Sequence, residues 1–479
     1  MLDYMFAMAI SIASAMATTE TATEFTLIYS YPLLPYTQFA LPAVSNEQGT
    51  NRLKHNRQPA TPDDQSVVRP NVDTLYSQAV LDLSGHDLVI EVPPITDRYW
   101  VFPFYDVYGD NYANLGSINQ SPPGKYLVHY ENDTARKPGV YSCGEHSASG
   151  NDNCDGYQGI ITSPTPYGGF VGRILLKNGE RDLQKVHAIQ NQTALYRIAR
   201  KGPHGPRLAP KLTMEMLNGS LSRDIPTRIM QLCARFAPFS PPRNISDKQH
   251  VDRMLQMAGI HNGQYHPTVT NLTAVAQKAR ENVRAIATKP GNLINLKNNW
   301  YGLSPSGQGD YDTNYGMRAY VAKNGYLALV ATEALYPSYQ KGSSLTLGPN
   351  EAYTITFNSK PPLADGGFWS ITIYNVQQYL VSNDLNRYAL GDRSGLIYDD
   401  GSLVYANDAK NETFRILVQP SDVSPPSNQI ANWLPAPAKG GEFSITLRFY
   451  GPTNVLADGH WPYPVVEKHG AIRAETEKV

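Results

Sequence analysis

The stretch RPNVDTLYSQAVLDLSGHDLVIEVPPITDRYWVFPFYDVYGDN, Arg69 to Asn111, decides the fold. Apolar and polar residues alternate over Leu75 to Leu83, which is typical of a half-buried strand. A second strand is predicted over Asp87 to Val92. The two prolines after it end the strand, because proline has no amide hydrogen to donate to a sheet. A third, aromatic strand is predicted over Arg98 to Tyr108, so the stretch indicates a β-rich unit.

Polar residues of several chemistries lie at the ends of these strands. If the strands pair in chain order, Arg98, Asp106 and Asp110 approach the turn that holds Asn71 and Asp73. In a structural interpretation, Asn71 and Asp73 form an Asx turn and Arg98 pairs with a nearby carboxylate. In a functional interpretation, the same residues line a cleft. No spacing in this stretch distinguishes the two.

The functional interpretation gives each candidate a role. Asp73 and Asp106 are the predicted acid and base, and His55 is an alternative base, although a lone histidine in a loop is more often solvated. Arginines could hold a carboxylate or oxyanion of the substrate. Aromatic side chains could stack on a substrate ring, although such side chains in a sandwich core are commonly structural. The residues predicted to bind a substrate are Arg69, Asn71, Arg98, Tyr99, Trp369 and Tyr374.

The rest of the chain indicates a mainly β protein with a helical middle. Helical spacing is predicted over Arg181 to Arg197 and over Leu272 to Thr288. Strands return over Tyr353–Phe357, Gly367–Val376, Leu403–Tyr405, Thr413–Val418 and Phe443–Tyr450. We predict an α+β, mainly β fold with two β-sandwich or jelly-roll-like domains, at residues 18–180 and 301–479, and a helical segment at 181–300.

An internal echo links the two β regions. Leu88 to Tyr108 resembles Tyr353 to Gln377: a strand, Pro-Pro, a polar turn, then an aromatic strand that ends in Tyr-Asp-Val or Tyr-Asn-Val. Two related β domains are the simplest account, and chance similarity between aromatic strands is the alternative. The echo places Asn375 opposite Asp106. This equivalence favours a structural role at that position and counts against Asp106 as a catalyst.

Composition and charge exclude some function classes. The formal net charge of -1 gives no basic field for nucleic acid, so no nucleic-acid partner is predicted. His250, His261 and His266 match no metal-ligand spacing, so no metal site is predicted. The sequence identifies no cofactor, and a homo-oligomer is compatible with it.

Several features predict export. Residues 1–17 include an apolar run from Met5 to Ala17 that fits a cleaved secretory signal and is too short to span a bilayer; a buried N-terminal helix is the alternative. Cys143 and Cys154 flank a Gly, Ser and Asn-rich loop and are predicted to form a disulfide, with Cys233 left free; three free thiols are the alternative. Glycosylation sequons begin at Asn119, Asn132, Asn191, Asn218, Asn244, Asn271 and Asn411.

The motifs RPNVDTLYS and RYWVFPFYDVYGDNYANLGS resemble the N-terminal half of a two-domain family, domain of unknown function 1254. FWSITIYN, NRYAL, DDGSLVY, NWLPAP and LRFYGP resemble its usual companion, domain of unknown function 1214. The resemblance implies a β-rich first domain joined to a jelly-roll-like second one. It assigns no catalytic residues. The loop between Cys143 and Cys154 looks like an insertion relative to the family pattern.

We therefore expect a secreted glycoprotein that acts as an enzyme on a small polar or sugar-like molecule, in a cleft between the β domains. The residues do not distinguish a hydrolase, a lyase and an isomerase. The alternative is a non-catalytic protein that binds a carbohydrate or another small molecule. The 31 tyrosines suit that alternative, and no G-x-S-x-G nucleophile motif argues against it. A structural glycoprotein without a pocket is a third interpretation.

Overall fold

The computed structural model describes residues 19–45, 49–64, 69–130, 137–143, 154, 156–200, 208–407 and 409–474. The fold is α+β and mainly β, as the sequence predicts. The predicted signal peptide and the sequon at Asn132 lie outside the described residues. Cys143 and Cys154 form the predicted disulfide, and Cys233 is free and buried. In the part of the chain that is described, no helix combines the length and apolar character needed to cross a membrane.

The N-terminal half is a sandwich of two sheets. In the first sheet the strands lie in the order Lys54–His55, Thr74–Asp82, Tyr167–Leu175, Trp100–Asp106 and Asn111–Gly116. In the second sheet the order is Ala194–Ile198, Asp87–Val92, Gly124–Tyr130, Gly159–Ser163 and Gly139–Ser142. Apolar side chains from both sheets share one core, among them Leu88, Ile90, Phe102, Phe104, Val128 and Phe170. The burial of each such side chain is worth about 1.5–3 kcal/mol, so this core holds the two sheets together.

The predicted strands form but do not pair in chain order. Thr74–Asp82 pairs with Tyr167–Leu175, whereas Asp87–Val92 lies in the facing sheet beside Gly124–Tyr130. The condition of pairing in chain order is therefore not met, because alternation shows which residues face a core but not which strand is the neighbour. Thr74 is paired with Leu175 and Asp106 with Gly168. At about 3.3 Å per residue, Asp106 and Asp73 are therefore roughly 20 Å apart, at opposite ends of the first sheet.

Helices cover one side of this sandwich and fill the middle of the chain. They span 19–30, Leu33–Ser45, Leu183–Gln192, Met214–Asn218, Ile225–Phe236, Lys248–Met257, Leu272–Ala287, Tyr315–Gly325 and Asn454–Ala457. The helix predicted from Leu272 is confirmed, and the Asn271 side chain caps it by accepting a hydrogen bond from the Ala274 amide at 3.0 Å. The helix predicted to reach Arg197 ends at Gln192. The chain then becomes the edge strand Ala194–Ile198, because pairing with Asp87–Val92 overrides the local preference.

The C-terminal half is a second sandwich. The third sheet has the order Leu293–Asn295, Trp300–Leu303, Ser338–Tyr339, Gly441–Pro452, Leu363–Asn375 and Ala389–Gly391, and Gly441–Pro452 also pairs with Ala334–Leu335 and Leu345–Leu347. The fourth sheet has the order Trp433–Ala436, Phe414–Pro420, Glu351–Phe357 and Val465–Gly470. Trp369, Ile371 and Leu447 of the third sheet share a core with Ile355, Phe414 and Ile416 of the fourth. The strand predicted over Leu403–Tyr405 is absent from the described residues, where Leu403 forms only an isolated bridge.

The internal echo has a structural counterpart. In each half its first strand lies in one sheet and its aromatic strand in the facing sheet. The aromatic strands end in matching turns. The Asp106 amide donates to Asp110 O and the Asp110 amide donates to Asp106 Oδ1, while Asn375 makes the same two bonds with Tyr379. Asp106 and Asn375 therefore close equivalent turns, as the structural interpretation of the echo expects.

Candidate functional site

The two sandwiches meet through the outer faces of the first and third sheets. Alternation along Leu363–Asn375 sends Trp369, Ile371 and Ile373 into the core, which leaves their neighbours facing the N-terminal half. The side chains on this facing surface, with their partners across the sheet, are Phe368, Ser370, Thr372, Tyr374, Ser444, Thr446, Arg448 and Tyr450. All of them are buried, and most are polar. A polar surface buried between two domains is a common location for a small-molecule site.

A cleft of about 610 Å³ opens at one end of this junction. The segment 93–100 of the N-terminal half forms one wall, and the turn 365–368 with Asp392 and Arg393 forms the other. Tyr99, Trp100 and Phe368 contribute aromatic rings to the lining. The cleft therefore combines apolar walls with a few charged side chains, as small-molecule sites do.

Asp73 joins the two halves beside the cleft. Its Oδ2 accepts a hydrogen bond from Ser370 Oγ at 2.6 Å, and its Oδ1 pairs with Arg393 Nη2 at 2.7 Å. The predicted Asx turn is present, because the Asp73 amide donates to Asn71 Oδ1 at 2.6 Å. Both carboxylate oxygens are thus occupied by the opposite half. The geometry shows Asp73 orienting Arg393, and its role as acid or base stays a prediction.

Asp392 is the titratable group that sequence reasoning missed. Its side chain is 19% exposed, and its Oδ1 accepts hydrogen bonds from Arg393 Nη1 at 2.6 Å and from the Trp369 amide at 3.3 Å. Burial raises the pKa of this carboxyl to about 6, against the opposing effect of the Arg393 charge. No local pattern marks Asp392, because its contacts include the amide of Trp369, a distant residue on the paired strand.

Arg98 lines the cleft but is occupied by two carboxylates. Its Nε pairs with Asp97 Oδ1 at 2.9 Å, its Nη1 pairs with Asp182 Oδ2, and its side chain is 1% exposed. Burial is the largest effect on the pKa of Arg98 and lowers it, but the hydrogen bonds that Arg98 donates to these carboxylates keep the pKa above its ordinary value. This is the ion pairing that the structural interpretation expects. Substrate binding by Arg98 stays a prediction.

The remaining junction candidates form a deeper polar layer. Arg69 Nε donates to Gln378 Oε1 at 2.7 Å, and Asn71 Nδ2 donates to the Tyr450 hydroxyl at 2.8 Å. The Tyr374 hydroxyl donates to Pro70 O at 2.9 Å, and the Tyr99 hydroxyl donates to Glu333 Oε2 at 3.3 Å. The structure therefore brings Arg69, Asn71, Asp73, Arg98, Tyr99 and Tyr374 to one junction.

Three candidates lie elsewhere. Trp369 belongs to the C-terminal core and donates its indole hydrogen to the Tyr405 hydroxyl at 2.6 Å. His55 lies on the edge of the first sheet, where its Nδ1 and Ser77 Oγ are 2.8 Å apart. Burial, and then the charge of Arg57, lowers the pKa of His55, which keeps it neutral near pH 7.

Asp106 lies at the far end of the first sheet and is fully buried. Burial, and then the negative charge of Asp110, raises the pKa of Asp106 to about 8. Its Oδ1 closes the turn by accepting from the Tyr108 and Asp110 amides, both at 2.9 Å. The carboxyl is therefore protonated at neutral pH and contacts its own turn, away from the cleft.

A metal site is not apparent in the described part of the chain. No group of three or more His, Cys, Asp or Glu side chains there is arranged to hold a metal ion. The chemistry available at the junction is that of Asp392, the arginines and the tyrosines.

Comparisons with known proteins place the chain in a family. Residues 50–197 match the family model described as "Protein of unknown function (DUF1254)", and residues 333–454 match "Protein of unknown function (DUF1214)". No curated protein matches significantly.

Two solved structures are similar to the chain, and the likeness to the first of them shows the fold alone. The VPA0106 protein from Vibrio parahaemolyticus is 20% identical, with a TM-score of 0.63 over 94% of this chain and 99% of that one. A putative uncharacterized protein from Burkholderia cenocepacia is 12% identical, with a TM-score of 0.41 over 96% of each chain. The two ranges matched by the family models, residues 50–197 and 333–454, contain the strands that form the cleft and the facing polar surface. The chain belongs to the two-domain family that joins a DUF1254 domain to a DUF1214 domain.

Proposed function

We propose that the protein is an enzyme that acts on a small polar or sugar-like molecule in the interdomain cleft, with Asp392 as the acid or base. The observation that carries this proposal is a half-buried carboxyl with a pKa of about 6 at the wall of a cleft of about 610 Å³. Pockets of about 300–1,000 Å³ are usual for small molecules. General acid–base catalysis is most effective when the catalytic pKa lies near the working pH.

Arg393 is the anchor that this proposal requires. Asp73 and Asp392 each accept a hydrogen bond from its guanidinium, and the guanidinium carbon lies 4.4 Å from the centre of the Phe368 ring. These contacts hold the cation in one orientation at the cleft wall. A fixed cation stabilises negative charge that develops on a substrate oxygen, because it needs little reorganisation during the reaction.

Asp392 supplies the proton transfer. Its Oδ1 is engaged by Arg393 and by the Trp369 amide, which leaves its Oδ2 for the substrate in this proposal. That oxygen is the atom from which a substrate proton is given or taken. Below about pH 6 the group is mainly an acid, and above it mainly a base.

Secretion and glycosylation are part of the proposal. The Cys143–Cys154 disulfide supports an oxidising compartment. Asn191, Asn218, Asn271 and Asn411 are exposed, as glycan acceptors must be. Asn119, in contrast, donates its side-chain amide to the buried Glu333. A mass decrease after treatment of the expressed protein with a peptide N-glycosidase tests glycosylation, and an unchanged mass contradicts it.

A non-catalytic binding protein is the second candidate. It is favoured by the occupation of Asp73 and Arg98, since among the described residues that line the cleft Asp392 is then the one carboxyl with a raised pKa. Binding without turnover distinguishes this candidate from the enzyme.

The test is incubation of the protein with a panel of sugars, sugar acids and hydroxy acids, followed by NMR. We expect conversion of at least one compound, with an inflection in the rate near pH 6. Asp392→Asn lowers the rate by about 100-fold or more. Asp365→Asn is the matched control, because Asp365 lines the same cleft but is exposed. Binding without conversion favours the second candidate, and equal rates in Asp392→Asn overturn the role of Asp392.

A further inference from the structure

Two buried arginines approach the junction from opposite sheets. Arg173 lies in the first sheet and is 7% exposed, and Arg448 lies in the third sheet and is 4% exposed. Within the described residues neither guanidinium forms an ion pair with a carboxylate. A buried charge without a counter-ion is costly, so this arrangement requires an explanation.

The groups that accept hydrogen bonds from Arg173 are neutral. They are the Tyr105 hydroxyl at 3.3 Å, Val171 O at 3.3 Å and Leu327 O at 3.4 Å. The Tyr76 ring lies 5.5 Å from the guanidinium carbon. All three hydrogen bonds are long, so they satisfy this cation only partly.

Arg448 has the same kind of surroundings. Its acceptors are Thr372 Oγ1 at 3.0 Å, Arg69 O at 3.1 Å and the Tyr374 hydroxyl. Arg69 itself adds a third guanidinium near this region. Burial lowers the pKa of Arg69, and the positive charge of Arg448 acts in the same direction. The cations at this point repel one another.

Two tyrosines interact electrostatically with both arginines. Tyr336 and Tyr450 hydrogen bond to each other, and each interacts electrostatically with Arg173 and with Arg448. Burial raises the pKa of both phenols, so they are neutral at neutral pH and supply no negative charge.

Two carboxyls lie near the cluster, and in the described residues neither forms an ion pair with Arg173 or Arg448. Asp73 is paired with Arg393 at 2.7 Å. Glu333 accepts hydrogen bonds from Asn119 and Tyr99, and burial raises the pKa of its carboxyl. Asp73 acts electrostatically on Arg448, and Arg173 acts on Glu333, but these carboxyls make their direct contacts with other residues.

An unpartnered hydroxyl lies on the same surface. Thr446 Oγ1 is buried and has no hydrogen-bond partner in the described part of the structure. Thr446, Arg448 and Tyr450 alternate along one strand and therefore share a face. The strand face that carries Arg448 therefore also carries a buried hydroxyl without a partner in the described residues.

We propose that Arg173 and Arg448 bind a small oxyanion, a carboxylate or phosphate group, between the first and third sheets. Guanidinium groups bind such oxygens in a bidentate manner, which provides the acceptors and the negative charge that the region lacks. The half-buried Arg69, Tyr76 and Tyr336 form the more exposed edge of this anion site.

The anion site is distinct from the acid–base site in the cleft. Phe368 lines the cleft and stacks on Tyr450, with 4.3 Å between ring centres, and Tyr450 interacts electrostatically with Arg173 and Arg448, which do not line the cleft. This proposal therefore does not depend on Asp392 or on catalysis.

Thermal unfolding of the full chain tests the site. Succinate, benzoate and inorganic phosphate are added separately, with the ionic strength held constant by chloride. We expect at least one probe to raise the unfolding midpoint in the wild type. Succinate or benzoate without phosphate identifies a carboxylate ligand, and phosphate alone identifies a phosphate ligand.

Variants locate the effect. Arg448→Gln and Arg173→Gln each weaken the apparent affinity for the active probe about tenfold or more, because each removes one charged partner. Tyr336→Phe removes a single hydroxyl and is the milder variant if the glutamine variants fold poorly. Arg415→Gln is the matched control, because Arg415 is an exposed arginine paired with Asp399.

Three results overturn the proposal. They are no shift with any probe, an unchanged response in Tyr336→Phe together with either glutamine variant, and a response lost only in Arg393→Gln. The last result places the anion in the cleft. Failure of the acid–base proposal is recognised separately, since Asp392→Asn leaves the anion response intact.

Discussion

Two regions of the molecule each bury an arginine among tyrosines. They differ in whether a carboxylate pairs with that arginine. In the helical region the Arg318 side chain is fully buried, pairs with Asp110 Oδ2 at 3.2 Å and donates to Tyr29 O at 2.9 Å. Its guanidinium carbon lies within 4.8 Å of the ring centres of Tyr29, Tyr108 and Tyr315. At the interdomain junction, Arg448 has tyrosines and neutral acceptors but no carboxylate within the described residues.

The helical centre is balanced in charge. Burial and the neighbouring Asp110 charge raise the pKa of Asp106 to about 8, so Asp106 is protonated at neutral pH. One negative carboxylate then faces one guanidinium. The comparison indicates that the same residue types form a closed structural centre in one place and an open binding centre in the other. The carboxylate partner makes the difference.

The largest expected effect comes from breaking the closed centre. Asp110→Asn leaves the Arg318 charge buried without a partner. We expect a loss of about 3–5 kcal/mol in the free energy of unfolding, measured by urea denaturation. A loss below about 1 kcal/mol would show that Asp110 does not balance Arg318.

The second effect is a pH dependence at Asp106. Its folded pKa is raised above the unfolded value, so folding takes up a proton and the stability from this group falls as pH rises toward 8. Relative to Asp106→Asn, the wild type should lose about 1 kcal/mol per pH unit between about pH 6 and pH 8. Asparagine preserves the turn, as Asn375 does in the C-terminal half. Parallel stability curves for the two proteins would contradict the raised pKa.

The third effect concerns the open centre. Arg448→Gln removes three hydrogen bonds to neutral acceptors, but it also removes a buried charge that has no ion-pair partner in the described residues. We expect it to cost about 1–2 kcal/mol in the absence of anions, less than Asp110→Asn costs. Urea denaturation of both variants in the same chloride buffer measures the difference. An equal or larger cost for Arg448→Gln would make the junction a structural centre as well.

The smallest effect is that of an exposed pair. Arg415 and Asp399 have side chains that are 47% and 75% exposed. Arg415→Gln should change the free energy of unfolding by no more than about 1 kcal/mol. A larger change would undermine its use as a control for the buried arginines.

Local sequence patterns predicted most of the strands and helices. Contacts between residues far apart in the sequence determined which strands pair. Asp87–Val92 was predictable because its alternation and the two prolines are local signals. Its position in the second sheet was not, because Ala194–Ile198 and Gly124–Tyr130 compete with the nearer Thr74–Asp82 as neighbours. The structural role of Asp106 was accessible through its echo with Asn375.

The residues of the candidate site also fall into two groups, those identified by a local pattern and those whose surroundings depend on distant parts of the chain. Asn71 and Asp73 were identifiable from one turn, and the structure brings them to the junction. Asp392 was not, because its burial and its contact with the Trp369 amide on the paired strand arise only in the folded chain. The isolation of Arg448 could not be predicted either, since the absence of a counter-ion is a property of the assembled junction.

The most direct test of this account is a crystal structure of the protein soaked with succinate and, separately, with benzoate. We expect density for a carboxylate that contacts the guanidinium groups of Arg173 and Arg448, together with an unchanged pair between Arg318 and Asp110. An ion pair between Arg448 and a carboxylate of the protein itself, with no bound anion, would contradict it.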